Sequence, residues 1–547
     1  MTATVFDAFV RTATDAPDNV FLCAPPAAGR AYHPGGIELT YGQTRDAALA
    51  LRDVYRAAGY GHGHRVALLM ENRPEFFFQF LALNALGVSI VPVNPDYRHD
   101  ELLYLMEHSE ADLGVVIESR VPDLERVAGE RAKPLPIVAA ERLPSKLPKP
   151  GPVAQPGAPG LATETSLLYT SGTTGRPKGC ILTNLYYLNA GAWYRDLGGR
   201  IQIEHGRERF LNPLPLFHMN AQVVTATCAI LTANCLAQPE RFSPSRWWKD
   251  VEGSRATIIH YLGVMPPLLL NQPPTPEERS HRVKFGLGAG VEPELHAAFE
   301  KRFGFPLVEV WGMTETGRIY SDCIEPRQIT TRAFGRPFGG LDAKVADDRD
   351  REVARGAEGE LLVRWGGPEG ARHGFFAGYL KNAEATEEAW RGGWFHTGDV
   401  VRQMPDGMLV FLDRKKNIIR RSGENIAAAE VEACLQAHDD VSQVAVIAVP
   451  DEVREEEVMA CVVAMPGAAC DRRLGEALQD WCLEKLAYFK APGWVLFVGA
   501  LPTTGTQKIQ KSLIFSKGED PRQQAAALDL RDRKRRRPGP ESVRASG

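Results

Sequence analysis

Residues 167–179 read Leu-Leu-Tyr-Thr-Ser-Gly-Thr-Thr-Gly-Arg-Pro-Lys-Gly, an apolar run that changes abruptly into hydroxyls and glycines with two basic residues. Glycines let a backbone approach an anion closely, and Ser/Thr hydroxyls and backbone N–H groups donate hydrogen bonds to it. Arg176 or Lys178 adds positive charge. The pattern predicts a phosphate-binding loop directly after the apolar pair Leu167 and Leu168.

The spacing of this loop differs from that of the P-loop NTPases. Their motif has four residues between its glycines and then Lys-Ser/Thr. Here two residues separate Gly172 from Gly175, and Lys178 precedes Gly179. We therefore expect the chain to handle a nucleotide triphosphate by a different chemistry.

Length and charge limit the function classes. A chain of 547 residues exceeds one ordinary core, so two or more domains are expected. The hydrophobic fraction of 44% and the charged fraction of 24% are typical of soluble globular proteins. A net charge of −4 gives no global attraction to nucleic acid, so small-molecule partners are expected.

Targeting and metal-binding signals are weak. The nine cysteines are scattered without a Cys-x-x-Cys pair, which argues against a zinc site and favours reduced, packed thiols. Asp7 and Arg11 lie where a signal peptide needs an apolar core. The run from 76 to 93 is interrupted by Asn84, Gly87 and Pro92, whereas a spanning helix needs about 20 predominantly apolar residues. These features predict a cytoplasmic protein without integral membrane association.

Helix and strand patterns alternate along most of the chain. The pattern predicts a strand at 65–70, a helix at 74–86 and a buried strand at 89–93. Such alternation indicates an α/β fold with sheets covered by helices.

The pattern changes near residues 413–417. A polar cluster there is followed by a predicted strand at 418–420, a helix at 428–437 and a strand at 444–449 that Pro450 should end. We therefore predict domains at 1–415 and 416–517. The polar, basic tail at 518–547 is predicted to be disordered, although a patch that binds anions remains an alternative.

Three further segments contain residues that could contact a nucleotide. Thr314 and Glu315 follow the strand-like 307–310, where a hydroxyl could bind phosphate and a carboxylate could hold Mg²⁺; a helix start capped by the threonine is the alternative. Asp399 follows a glycine turn and could accept ribose hydroxyls or serve only the turn. Gly288 and Gly290 permit close approach of a flat ring, as would a plain strand-to-loop turn.

Taken together, the segments at 169–179, 311–316, 394–399, 413–432 and 501–509 resemble the ordered motif set of the adenylate-forming superfamily of acyl-CoA synthetases, luciferases and adenylation domains. The resemblance spans residues 40 to 511. It implies a large N-terminal domain of β-sheets wrapped by helices, a small mobile α+β C-terminal domain and a two-step reaction. A carboxylate and ATP give acyl-AMP and pyrophosphate, and a thiol then displaces AMP.

The resemblance assigns ATP, Mg²⁺ and CoA as the implied cofactors, and it transfers roles to individual residues. The β- and γ-phosphates would be held by Thr170, Ser171, Gly172, Thr173, Thr174, Gly175 and Lys178, with Thr170 also assigned to the metal. The adenine and α-phosphate region would be formed by Gly288, Ala289, Gly290, Trp311, Gly312, Met313 and Thr314. Glu315 would bind Mg²⁺, while Asp399 and Arg414 would bind the ribose.

The resemblance places the chemical step on Lys508, which would stabilise negative charge during attack on the α-phosphate. The family element is Ser-Gly-Lys-Ile, but here Gln507 replaces the glycine, and Lys511 is close enough to be a rival. Lys416 would be the hinge about which the C-terminal domain rotates. Gly423 would then line the thiol tunnel, or serve only a tight turn.

The predicted acyl pocket is formed by His218, Met219, Asn220, Gln222 and Val264. His218 is assigned beside the substrate carboxylate, with a packed core histidine as the alternative. Phrases at 217–222, 241–248 and 421–426 are similar to the crotonobetaine/carnitine-CoA ligase branch. Pocket residues are expected from 219–223, 263–267 and 286–291, and these mostly apolar stretches suggest an organic acid with substantial apolar surface.

Three functions stay open at this point. The first is a stand-alone ATP-dependent acyl-CoA ligase. The second is an adenylating enzyme that loads the phosphopantetheine of a separate carrier protein, because no carrier-type element follows Lys508. The third is a non-catalytic nucleotide-binding homologue. A homodimer is also left open.

Overall fold

The structure is a computed structural model that describes residues 3–97, 99–152, 157–170, 177–421, 424–452, 454–486, 488–503, 509–516 and 518–534. The chain divides into two compact units. The first comprises residues 1–343, 363–396 and 406–409, and the second comprises residues 344–362, 397–405 and 410–547. The chain passes from the first unit to the second for the last time between residues 409 and 410. The predicted domain boundary after residue 415 stays a prediction.

Two large sheets form the first unit. The strands of the eight-stranded sheet are, in order, Tyr320–Ser321, Leu307–Trp311, Phe285–Ala289, Ile258–Leu262, Arg209–Leu211, Cys235–Ala237, Val20–Ala24 and Ile37–Thr40. The strands of the seven-stranded sheet are Gly378–Tyr379, Lys178–Thr183, Glu164–Thr170, Ser89–Pro92, Arg65–Leu69, Leu113–Val116 and Ile137–Ala139. Most neighbours inside both sheets are parallel, with antiparallel pairs towards the ends.

Helices connect and cover these strands, as parallel pairing requires. The α-helices of the first unit are Val5–Asp15, Tyr41–Ala58, Glu75–Asn84, His99–Ser109, Val121–Glu130, Asn184–Arg195, Ala226–Leu231, Trp247–Ser254, Met265–Leu270, Pro293–Phe303 and Ala383–Ala389, and Asn220–Thr225 is a π-helix. The predicted strand–helix–strand succession at 65–93 is confirmed, and Gly87 at φ 73° ends its helical segment. The predicted α/β class is therefore confirmed.

The second unit has its own core. Its six-stranded sheet contains Glu424–Ala427, Ile418–Arg421, Glu455–Ala464, Trp494–Phe497 and Leu528–Asp529, with Val441–Asp451 paired to Glu455–Ala464. Helices Ala428–Gln436 and Arg472–Lys485 pack on this sheet around buried aliphatic side chains. Most residues of strands Glu358–Trp365, Phe395–Gln403 and Leu409–Arg414 also belong to this unit, and Ala333–Gly335 and Leu341–Ala346 precede them in the chain.

Pro450 does not end its strand, contrary to the sequence-based prediction. The strand continues to Asp451, and Pro450 pairs with Glu456. Among the described residues this strand pairs only with Glu455–Ala464, so it is an edge strand. An edge position tolerates proline because the missing N–H faces away from the ladder.

The prediction of a disordered tail from residue 518 is wrong for residues 518–534. Leu528–Asp529 pairs with Trp494–Val495, and Leu530 is fully buried in the core. Lys534 is also buried, with its Nζ 2.5 Å from Glu457 Oε1. Arg522 and Arg531 also pair with Glu452 and Asp451, and partners so far away in sequence are not revealed by composition alone. Residues 535–547 lie outside the described part of the chain.

A membrane-spanning helix is not found in the described residues, because none of their helices is both long enough and apolar enough to cross a bilayer.

Candidate functional site

The predicted phosphate loop joins two antiparallel strands. Glu164–Thr170 pairs with Lys178–Thr183, so that Thr170 lies opposite Lys178 and Tyr169 lies opposite Gly179. A Cβ on Gly179 would come within 3.0 Å of Leu167 Cδ1 and 3.3 Å of Tyr169 Cζ, so glycine permits this close packing. The structure thus places Thr170 and Lys178 together at the end of the hairpin that adjoins the loop. The other predicted loop ligands, Ser171, Gly172, Thr173, Thr174 and Gly175, lie outside the described residues.

A tyrosine connects the end of this hairpin to the predicted magnesium ligand. The hydroxyl of Tyr379 donates to Glu315 Oε1 at 2.8 Å, and Lys178 Nζ lies 4.7 Å from the centroid of the Tyr379 ring. Burial, reinforced by the negative charge of Glu315, raises the pKa of Tyr379 far above its usual value. The hydroxyl therefore stays protonated and continues to donate to the carboxylate.

The residues around Glu315 suit Mg²⁺ rather than a metal held by protein ligands alone. Glu315 is 6% exposed, and among the described residues no group of three or more His, Cys, Asp or Glu side chains could enclose a metal ion. Mg²⁺ is commonly held by one or two carboxylates together with substrate phosphates and water. Glu315 fits that donor set beside Thr170 and Lys178.

Thr314 lies in a turn and not at a helix start, so the alternative interpretation of a helix cap is wrong. Residues 314–316 form the turn, and Thr316 Oγ1 donates to the carbonyls of Met313 and Arg318 at 3.0 and 2.9 Å. The backbone carbonyl of Thr314 accepts a 2.6 Å hydrogen bond from the Tyr186 hydroxyl.

Tyr186 also links this turn to the predicted acyl pocket. Its hydroxyl is 3.9 Å from Met219 Sδ, and a Cβ on Gly317 would come within 2.6 Å of its ring. Tyr186 is fully buried. Its packing brings the predicted α-phosphate contact and the start of the predicted acyl pocket into one region.

The remaining predicted pocket residues differ in their surroundings. His218 is exposed, so the alternative of a packed core histidine is wrong. Asn220 begins the π-helix, a form often found at functional sites, and its Oδ1 accepts from Asn212 Nδ2 at 2.8 Å. Gln222 is fully buried and donates to the Tyr187 hydroxyl, whereas Val264 is 36% exposed. Acyl contact by these residues stays a prediction.

The predicted adenine frame lies at the ends of two adjacent parallel strands. Phe285–Ala289 and Leu307–Trp311 pair in register, with Gly288 opposite Glu309. Their carboxyl ends share one edge of the sheet, where open α/β sheets bind ligands. Gly290, Gly312 and Met313 follow directly.

Packing alone already requires some of these residues. A Cβ on Gly288 would come within 2.3 Å of the Tyr261 carbonyl oxygen, and one on Gly263 would come within 2.0 Å of the Gly290 carbonyl oxygen. The ring of Trp311 is 6% exposed and stacks on Tyr320 at 5.7 Å between centroids. Contact of Gly288, Ala289 and Trp311 with a base stays a prediction.

A buried carboxylate fixes the loop after the first of these strands. Glu309 Oε2 accepts from the Gly290 N–H at 2.8 Å, and Oε1 accepts from the Val291 N–H at 3.2 Å and the Tyr261 hydroxyl at 2.6 Å. Burial raises the pKa of Glu309 to about 7, although these donors favour the ionised form. Glu309 thus holds the predicted adenine loop with a group that titrates near neutrality.

Replacing Glu309 with glutamine should change how stability depends on pH. Between about pH 4.5 and 7 the folded protein keeps the proton that the unfolded chain has lost, so the free energy of unfolding falls as pH rises through this window and levels above it. The stabilisation of the parent relative to Glu309→Gln should therefore be larger at pH 5 than at pH 8, by at most about 3 kcal/mol. Urea unfolding of both proteins at the two pH values measures this, and an equal difference at both would contradict it.

The predicted ribose contacts lie together in the second unit. Arg414 Nε is 2.7 Å from Asp399 Oδ1, and Arg414 Nη1 donates to the Thr397 carbonyl at 3.4 Å. Gly398, at φ 70°, donates its N–H to Glu360 Oε1 at 3.0 Å. The structure thus brings Asp399 and Arg414 together, and ribose binding stays a prediction.

The residues assigned to the chemical step and the thiol tunnel are not described. Lys508 and Gly423 lie outside the described part of the chain, and Lys416 lies in the short 3₁₀ turn Lys415–Asn417. The rival Lys511 is engaged elsewhere, because its Nζ is 2.8 Å from Glu432 Oε1. That ion pair gives Lys511 a structural role within the second unit.

Sequence reasoning missed four residues that organise these sites: Tyr379, Tyr186, Glu309 and Asp413. Asp413 accepts from Asn417 Nδ2 at 3.1 Å and from the Ala429 N–H at 2.7 Å. The second hydrogen bond caps the start of the helix Ala428–Gln436 from a residue 16 positions upstream of Ala429. Helix caps are normally adjacent to the helix, so no local signal marked this one. Tyr379, Tyr186 and Glu309 likewise act on distant segments.

Comparison with known proteins places the chain in a family. Residues 9–380 match the model of the AMP-binding enzyme family, and residues 430–508 match the AMP-binding enzyme C-terminal domain. A sulfoacetate–CoA ligase of Cupriavidus necator is 31% identical over 90% of this chain and 94% of its own length. A crotonobetaine/carnitine–CoA ligase of Proteus mirabilis is 29% identical over 87% and 92%.

Solved structures share the fold. ATP-bound MatB from Rhodopseudomonas palustris has a TM-score of 0.78 at 24% identity and covers 93% of this chain and 98% of its own. An o-succinylbenzoate CoA synthetase from Bacillus subtilis, in complex with its acyl-adenylate intermediate, has a TM-score of 0.78 at 23% identity and the same coverages. The motif order, the arrangement around Glu315 and both family models agree, and the chain belongs to the AMP-binding enzyme family.

Proposed function

We propose that this chain is an ATP-dependent acyl-CoA ligase. The carboxylate oxygen of an organic acid attacks the α-phosphorus of ATP, and the bond to the departing pyrophosphate breaks. The thiol sulfur of CoA then attacks the acyl carbon, AMP leaves, and the thiol proton is lost to solvent. CoA ligation by the curated relatives supports CoA as the acceptor.

One observation carries the proposal. Lys178, at the end of the glycine-rich hairpin, lies against Tyr379, and Tyr379 donates to Glu315 next to Thr314. A cation, a carboxylate and a hydroxyl residue thus converge where phosphates and Mg²⁺ would meet. When bound, Mg²⁺ would neutralise phosphate charge at Glu315.

The remaining roles follow from the resemblance. Thr170 and Lys178 hold the outer phosphates, and Thr314 contacts the α-phosphate. Asp399 and Arg414 bind the ribose, and Lys508 stabilises the charge that develops during attack. Lys416 is the hinge, and Gly423 lines the path of the thiol.

The acid is proposed to have substantial apolar surface. Met219 and the half-exposed Val264 supply apolar contacts, and Asn220 supplies a polar one. His218, which is exposed and precedes Met219 in sequence, is proposed to contact the substrate carboxylate. These contacts fit a pocket that is mainly apolar with a few polar groups.

A panel of carboxylic acids tests this function. The purified chain is incubated with ATP, Mg²⁺ and each acid, with and without CoA, while pyrophosphate, AMP and thioester are measured. Pyrophosphate release with an acid and thioester formation with CoA are expected. Release followed by transfer only to a phosphopantetheinylated carrier protein would favour carrier loading, and no release with any acid would favour a non-catalytic binding protein.

A further inference from the structure

The helix His99–Ser109 contacts both sides of the predicted phosphate hairpin at the end that adjoins the loop. The Tyr104 hydroxyl donates to the Pro177 carbonyl at 2.9 Å, directly before Lys178. One turn later, His108 Nδ1 forms a 2.8 Å hydrogen bond with the Tyr169 hydroxyl, directly before Thr170. Because Thr170 and Lys178 are opposite each other in the hairpin, one helix holds both strand ends that carry the predicted phosphate contacts.

The two side chains of the helix form a rigid unit. The rings of Tyr104 and His108 stack with centroids 5.3 Å apart, and His108 meets the Tyr169 ring edge-on at 5.7 Å. Residues four apart on a helix lie on the same face, which explains the stacking. Rings held in this way lose little further conformational freedom when a ligand binds nearby.

A third segment is tied to the same helix end. Lys381 Nζ donates to the His108 carbonyl at 3.0 Å and pairs with Glu110 at 3.1 Å. Leu380 donates its N–H to the Gly179 carbonyl at 2.8 Å, so the segment that carries Tyr379 continues the sheet beside Lys178. The helix therefore fixes the hairpin and also the neighbouring segment that reaches Glu315.

The polar rings face the space beside the hairpin. Tyr104, His108, Lys178 and Lys381 line a cavity of about 300 Å³. Tyr104 and His108 are partly exposed there, and neither was among the residues that the motifs predicted. Their hydrogen bonds reach Pro177 and Tyr169, the residues next to Lys178 and Thr170, and not Lys178 and Thr170 themselves.

We propose that Tyr104 and His108 are positioning residues that hold Thr170 and Lys178 in the geometry required for binding the outer phosphates of ATP. The inference rests on the proposed function, since it takes ATP as the ligand. The two residues act through Pro177 and Tyr169 and lower the ordering cost of binding, as preorganisation does generally.

Tyr104→Phe tests the first contact, because it removes one hydroxyl and keeps the stacked ring. It should raise the KM for ATP in pyrophosphate exchange about three- to tenfold, the range of one hydrogen bond. The KM for the acid and kcat should stay within about twofold. Hydrogen exchange at the amides of Lys178 and Gly179 should accelerate in the ligand-free variant.

Tyr41→Phe is the matched control. The Tyr41 hydroxyl also donates to backbone carbonyls in the same unit, those of Ala229 and Asn234, away from the hairpin. This variant should lose stability without a change in the KM for ATP. If both tyrosine variants changed the KM for ATP equally, or if Tyr104→Phe changed neither the KM for ATP nor the exchange, the proposal would be overturned.

The second contact is tested by a pair of variants. His108→Phe keeps a stacking ring but removes the histidine partner of the buried Tyr169 hydroxyl, which should raise the KM for ATP. Adding Tyr169→Phe removes the hydroxyl that lost this partner and should restore part of the loss. Absence of any KM effect in His108→Phe would contradict the proposal.

These results separate two failures. If the parent protein neither binds ATP nor releases pyrophosphate, the proposed function is wrong. If the parent uses ATP and the Tyr104 and His108 variants match it, only the positioning role is wrong.

Discussion

Lys508→Ala is expected to slow the formation of acyl-AMP by about a hundredfold or more, the size of effect seen when one charge-stabilising donor is removed from a transition state. Thioester formation from supplied acyl-AMP should stay within a few-fold of the parent, because this half-reaction starts after the attack on the α-phosphate and the loss of pyrophosphate. The two half-reactions are measured separately, as pyrophosphate exchange with the acid and as thioester formation from synthetic acyl-AMP and CoA.

Lys511→Ala supplies the matched control for that experiment. Lys511 pairs with Glu432, and the Glu432 carboxylate also accepts from the Val446 N–H at 2.7 Å. Burial raises the pKa of Glu432 despite the nearby lysine. Removing the lysine should therefore reduce stability and leave pyrophosphate exchange within a few-fold. If Lys511→Ala abolished exchange and Lys508→Ala did not, the assignment of Lys508 would be wrong.

Glu315→Gln should lower acyl-AMP formation by about a hundredfold, since it removes the negative charge that would bind Mg²⁺ beside the phosphates. The glutamine keeps the size of the side chain, and its carbonyl oxygen can still accept the Tyr379 hydroxyl, so the fold should be preserved. Exchange is measured over a series of Mg²⁺ concentrations. The variant should need more Mg²⁺ for half-maximal exchange than the parent.

Tyr379→Phe separates charge from positioning at the same place. It leaves the Glu315 charge intact and removes only one neutral donor, so a loss of about tenfold or less is expected. The aromatic ring beside Lys178 remains. A Glu315→Gln variant with the parent's dependence on Mg²⁺, or with a smaller loss than Tyr379→Phe, would exclude Glu315 as the metal ligand.

The sequence predicted much of the first unit because its signals are local. Apolar runs at 65–69 and 89–92 and a glycine after the helix Glu75–Asn84 are short-range patterns, and the structure contains each element within a few residues of the prediction. The predicted end of the strand at Pro450 and the predicted disorder of 518–534 were wrong, because contacts with distant residues determine the structure there. Pro450 is tolerated because its strand lies at an edge, and the 518–534 segment is ordered because its leucines and lysine reach the core of the second unit.

The candidate site was likewise predicted where its signals are local, and it was missed where contacts join distant residues. The order of the motifs indicated the family. The resemblance of these short local motifs then predicted the roles of Thr170, Lys178, Thr314, Glu315, Asp399 and Arg414. The tertiary structure alone showed that Tyr379 bridges Lys178 and Glu315, that Tyr186 joins Thr314 to Met219, and that Glu309 holds Gly290.

The physical reason is distance along the chain. Tyr379 and Glu315 are 64 positions apart, and Tyr186 and Thr314 are 128 apart. A hydrogen bond between such residues depends on how sheets and helices pack, and a single sequence contains no periodic or local signal for it. The sequence by itself thus determined the family and the α/β class and predicted the chemical residues, and only the tertiary structure showed which distant side chains contact them.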